Sequence, residues 1–288
     1  IDTGVTWTVR SAAGDDDYWK SVIYGNGIFV AVSTAGNSLM TSPDGINWTV
    51  QSITGNDDDW NDVTYGNGMF VAIGSGTGDY IATSPDGINW TARALAGSNG
   101  YEDITYGNGM FVAVSKTSGT DAASSPDGIT WTSRTIPSGA YNAVAYANGL
   151  FVAVGSNLVA TSPDGITWTS RTAGTNQGGC VSYGGGLWVS GGSGITSADA
   201  NTYATSPDGV TWTMIGDVPV GATSFGSVVL RDRIWMVGGN GNGRATRWST
   251  DGANWTTAGD LPEDNHGGSL ATLGGSLVYS GGHNGNLY

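Results

Sequence analysis

Asp62-Val63-Thr64-Tyr65-Gly66-Asn67-Gly68-Met69-Phe70-Val71-Ala72-Ile73-Gly74, followed by Ser84-Pro85-Asp86-Gly87-Ile88-Asn89-Trp90, contains one full structural unit of the chain. The first part reads as two strands around an Asn-Gly hairpin, because that dipeptide supplies the positive φ angles of a primed turn. Strands are expected over 62–65, 69–74, 80–83 and 89–93. Ser84-Pro85-Asp86-Gly87 reads as the turn between the third and fourth strands. Pro presets φ at its second position, and the Asp side chain can accept nearby backbone N–H groups.

The unit recurs. Asn-Gly returns at 26–27, 108–109 and 148–149, and Ser-Pro-Asp-Gly at 42–45, 125–128, 162–165 and 206–209. Trp7, Trp48, Trp90, Trp131, Trp168, Trp212 and Trp255 stand 41, 42, 41, 37, 44 and 43 residues apart, and the circular gap from Trp255 through the termini to Trp7 is 40. A period of about 40–45 residues of short strands signals a β-propeller. The spacing predicts one all-β domain over 1–288, a seven-bladed β-propeller with four antiparallel strands per blade. The last blade is expected to take three strands from the C-terminal end and its outermost strand, around Thr6–Arg10, from the N-terminal end. Such a clasp removes the open sheet edge that invites aggregation.

These turns resemble the Asp-box repeats of sialidase-type propellers, in a form one residue shorter between Asp and Trp, as in Ser162-Pro163-Asp164-Gly165-Ile166-Thr167-Trp168. The later blades resemble kelch repeats, with Gly238-Gly239 and Gly281-Gly282 closing second strands. Both resemblances imply a propeller and leave its function open. Sialidase chemistry would need arginines converging on the channel. Arg10, Arg93, Arg134 and Arg171 instead stand three residues after a blade tryptophan, at one repeated outer-strand position. A copper oxidase of the kelch kind would need a Cys–Tyr pair matched to the histidines, and Cys180 lies too far from them in the repeat order.

Composition narrows the partners. A formal net charge of −14 repels a nucleic-acid backbone. No apolar run reaches the length of a membrane span, and the chain does not open on a signal peptide, so a soluble protein with any export signal removed is expected. The single cysteine, Cys180, forms no internal disulfide and is expected as a buried small hydrophobe.

In a meander of this kind the regular turns share one face of the disc, and the blade-to-blade connections with the loops between second and third strands share the other. Variable loops on a rigid scaffold are where binding resides. Five positions before each strand-one tyrosine stand Trp19, Trp60, Tyr101 and Tyr141, with Phe225 at the matching place later on. Beside them are Asp17, Asp59 and Glu102, and aromatic faces with carboxylates suit the apolar face and hydroxyl rim of a sugar. The alternative is that these rings wedge adjacent blades together. The acidic triplets at 15–17 and 57–59 could also offer oxygens to Ca²⁺, without the spacing of a calcium motif. His266 and His283 with Asp264 are a weak candidate for a transition metal. Repeats of this type resemble those of phage and bacterial surface proteins, which implies an extracellular or virion location. The expected function is a non-catalytic module, not an enzyme, that binds a cell-surface glycan through the variable face. The alternatives are a virion or appendage protein making protein contacts, and a glycan-active or metal-dependent enzyme.

Overall fold

The computed structural model describes residues 6–11, 18–34, 38–52, 59–75, 81–93, 100–117, 119–172, 178–191, 202–217, 225–230, 233–238, 244–262, 269–273, 276–280 and 286–287. Their regular structure is β throughout, and no helix among them is long and apolar enough to cross a membrane. Blade one is built from Trp19–Gly25, Ile28–Ser33, Ser38–Ser42 and Thr49–Ser52, each paired antiparallel with the next. Blades two to six repeat this order, starting at Asp59, Asp103, Tyr141, Cys180 and Phe225.

A further sheet joins Ser269–Leu273, Ser276–Ser280 and Asn286–Leu287 to Arg10–Ser11. Its two outer strands are only two residues long, and among the described residues Ser280↔Leu287 is the one registered pair between its second and third strands. The expected seven full blades are therefore corrected: six blades are complete, and the seventh sheet is partial. The physical reason is the shortness of the pairing at the join, which also moves the N-terminal strand from Thr6–Arg10 to Arg10–Ser11. The ring nonetheless closes. First strands of neighbouring sheets contact one another in succession, and Ser269–Leu273 touches the first strands of both blade six and blade one.

The repeated turns explain the repeated fold. Asn26, Asn67, Asn108 and Asn148 have φ of 48–50°, and the glycine after each is also positive, as primed hairpins require. In the turn at Ser84, the Ser84 Oγ accepts the Gly87 N–H at 2.8 Å while Asp86 Oδ1 accepts the N–H groups of Ile88 and Asn89. These bonds to its charged form hold the Asp86 carboxyl well below the usual carboxylate range. The same arrangement recurs at Asp44, Asp127, Asp164, Asp208 and Asp251.

The blade tryptophans end these turns just before the fourth strands. Trp90 Nε1 donates to Gly87 O at 2.8 Å and Trp131 Nε1 to Gly128 O at 2.9 Å. Trp7 instead reaches across to blade six, donating to Thr246 Oγ1. The arginines after them lie on outer strands, where Arg93, Arg134 and Arg171 donate through Nε to a hydroxyl of the third strand.

The core sits between blades. Val30, Val32 and Leu39 of blade one pack with Trp60, Val63 and Phe70 of blade two, and equivalent clusters repeat at successive junctions. Apolar packing dominates these junctions, and each blade needs its neighbour to bury its sheet.

Candidate functional site: the mouth of the central channel

First strands line the axis of a propeller, so residues near their N-terminal ends meet at one mouth of the channel. Counting from Trp19, Trp60, Tyr101 and Tyr141, the next residues are Lys20, Asn61, Glu102 and Asn142. One residue further in, the ring reads Ser21, Asp62, Asp103, Ala143 and then Cys180, Ser227 and Ser269 from the later sheets. A cavity of about 230 Å³ opens here, and all seven first strands or the residues just before them contribute to its wall.

Asp62 and Asp103 form the acidic side of the cavity. The Ile104 N–H donates to Asp62 Oδ2 at 2.9 Å, and the Val144 N–H donates to Asp103 Oδ2 at 2.6 Å. Each carboxyl group thus clasps the next blade. The two also hydrogen-bond to each other. Burial, and then the neighbouring Asp62 charge, keep the Asp103 proton in place well above the usual carboxylate range. Asp103 therefore holds its proton to higher pH than an isolated aspartate would. Asn61 Nδ2 donates to Tyr101 O at 2.8 Å and Asn142 Nδ2 to Gly178 O at 2.7 Å, which fixes both side chains in the wall.

Beside them stands a group of two lysines and a glutamate. The chain has only two lysines, Lys20 and Lys116, and both pair with Glu102 Oε1, at 3.3 and 3.1 Å. Lys20 belongs to blade one and Glu102 to blade three, so the first ion pair passes over blade two. The lysine side chains are 36% and 61% exposed. Ion pairs this exposed contribute at most about 1 kcal/mol, so the arrangement is easily exchanged and adds little to stability. Opposite them, Cys180 Sγ contacts Gly191 O at 3.5 Å, and burial pushes its thiol up to about 11, so it stays protonated at neutral pH.

The structure separates the residues expected to bind. Trp19, Trp60, Tyr101 and Tyr141 are 0%, 0%, 3% and 1% exposed. They wedge the blades, and a ring with no free face cannot stack on a sugar, so their expected role as a glycan platform is corrected. Tyr141 is further tied by its hydroxyl, which donates to Pro137 O at 2.9 Å. Phe225 begins the first strand of blade six, and Asp59 is exposed at the start of blade two. Glu102 does line the cavity. Asp17, His266, His283 and Asp264 lie outside the described residues. Among the described residues, no three His, Cys, Asp or Glu side chains are placed to hold a metal ion.

By residue type nothing marks Lys20 and Asp62, and Asp103 stands out only as one of several carboxylates crowding these loops. Their signal was positional: the same offsets from the strand-one aromatics, repeated once per blade.

No protein-family model matches the chain, and no curated relative matches it. Solved structures do. A streptogramin B lyase is 12% identical with a TM-score of 0.79, over 98% of this chain and 96% of the lyase. Virginiamycin B lyase from Staphylococcus aureus is 10% identical with a TM-score of 0.75, over 97% of each chain. A YCF48 structure bound to D1 peptide is 17% identical with a TM-score of 0.71, over 100% of this chain and 95% of that one. The expected non-catalytic glycan-binding module of a virion or bacterial exterior is corrected by this result. The similar folds named here are two lyases and a peptide-bound propeller, and none points to a glycan or a phage protein. The expectation that the chain is not an enzyme falls with it, since this architecture carries lyases over nearly its whole length. At these identities the likeness establishes one thing, that the chain has the β-propeller fold.

Proposed function

We propose that the protein acts through the channel-mouth cavity, which binds a small polar ligand between the Asp62–Asp103 pair and the Lys20–Glu102–Lys116 group. The observation that supports this most is the convergence of seven first strands on one polar cavity whose wall contains the adjoining carboxyl groups of Asp62 and Asp103. An acid perturbed by burial and a charged partner, set in a cleft, is a functional-site candidate. The test is a thermal-shift screen of small polar compounds on the full chain, repeated on Ala143→Leu, which fills the wall, and on Lys20→Ala. Compounds that stabilise the protein should lose their effect in both variants. Stabilising compounds that act equally on all three proteins would place the site elsewhere and refute the reading.

A second reading, that the bound ligand is also transformed by proton transfer, is favoured by the acid pair and by the lyases of similar fold. It is checked by mass spectrometry of each stabilising compound after incubation with the protein. A compound recovered intact at every pH between about 4 and 8 would count against it. We also read the Ser-Pro-Asp-Gly turns as a shortened Asp box; their repeated Ser–Asp–backbone hydrogen bonds support this.

A further inference from the structure

We propose that the ligand of this cavity is a small zwitterion, an amino-acid-like molecule whose carboxylate is taken by Lys20 and Lys116 and whose ammonium group is taken by Asp62 and Asp103. The inference rests on the reading of the cavity as a ligand site and specifies its chemistry.

Three features support it. A chain of net charge −14 has only two lysines, and Lys20 lines this cavity while Lys116 bonds Glu102 at its rim. Among the described residues two ammonium groups, those of Lys20 and Lys116, share the single carboxylate of Glu102. Asp62 and Asp103 lie one residue deeper along their strands, about 3.3 Å further in, and make that level of the wall acidic. The cavity thus has a positive outer pole and a negative inner one. A molecule bearing one charge of each sign satisfies both, whereas an anion or a cation alone leaves one pole unpaired in a partly desolvated space. Lys20 and Lys116 are free to serve because their bonds to Glu102 are exposed and exchangeable, and an incoming carboxylate is a like-for-like replacement for that of Glu102.

Calorimetric titration of the full chain near neutral pH provides the test. The probes are glycine, L-alanine, L-glutamine and 4-aminobutyrate, each beside its acid-only and amine-only counterparts such as propionate and ethylamine for alanine. At least one zwitterion should bind about tenfold or more tightly than either counterpart. Lys20→Ala/Lys116→Ala should weaken that zwitterion by about tenfold or more while leaving the melting midpoint in place. Lys20→Arg should retain most of the binding. Equal binding of zwitterion and amine, or full affinity in the double lysine variant, would overturn the proposal. A neutral panel of amides and nucleosides separates the two levels. Neutral compounds that bind wild type and fail on Ala143→Leu, with every zwitterion silent, would leave the cavity as a site and remove the zwitterion. Silence from both panels would remove both.

Discussion

Replacing Trp60 by alanine tests whether the strand-one aromatics hold blades together. The indole is 0% exposed and packs against Val30, Val32 and Leu39 of blade one as well as Val63 and Phe70 of its own blade. An aromatic side chain buries about 150–250 Å², which at about 25 cal/mol per Å² corresponds to about 4–6 kcal/mol of transfer free energy. Trp→Ala changes in cores typically cost about 3–5 kcal/mol, so that is the expected loss. For a chain of this size each kcal/mol lowers the melting midpoint by about 2 °C, giving a fall of about 6–10 °C. Differential scanning calorimetry, with a urea titration to confirm that the midpoint moves at constant slope, is the assay. Trp60→Ala melting within about 2 °C of wild type would show that the ring is not the inter-blade wedge described here.

Three further outcomes are expected. Gly66→Ala should cost about 1–3 kcal/mol, because the added Cβ overlaps the base of the Tyr106 ring in the next blade. Gly27→Ala, where a Cβ meets nothing but φ is +82°, should show only the smaller backbone strain; equal losses in paired melts would contradict the close approach at Gly66. Cys180, with its thiol pushed from 9.0 to about 11, should react with iodoacetamide about 100-fold more slowly than a free thiol at neutral pH, and modification at the free-thiol rate would show the site to be open. Asp103 has a raised folded-state pKa, so its contribution is fully present below the unfolded value of about 4 and is lost as pH rises through the folded one. Asp103→Asn should therefore flatten the decline of stability between about pH 4 and the neutral range; a profile parallel to wild type would mean that Asp103 titrates as an ordinary carboxylate.

The propeller could be read from sequence because its signals are local. Asn67-Gly68 specifies a primed hairpin and Ser84-Pro85-Asp86-Gly87 a turn capped by its own side chains, and neither depends on distant residues. The partial seventh sheet could not, since it rests on a few cross-terminal pairs that spacing alone does not measure. The burial of the strand-one aromatics is hidden from the sequence for a related reason. Trp19 and Trp60 suit a sugar by type, but alternation along a strand sends them into the blade junctions, and burial is a property of the neighbouring repeat. Lys20, Asp62 and Asp103 come from three blades some 40 residues apart, with Lys20 and Glu102 brought together across 82 positions. Only the stacking of successive first strands around the axis brings them to one cavity.

The sheet formed by both ends of the chain also sets how the molecule should respond to force. Arg10 pairs with Leu287 and Ser11 with Asn286, so the two strands run antiparallel and the outward-leading segments leave from the same end. Tension applied through those segments peels one rung after another instead of shearing the pairs together. In an optical trap the ring should consequently open first at this seam, at low load, and the six complete blades should give way only afterwards.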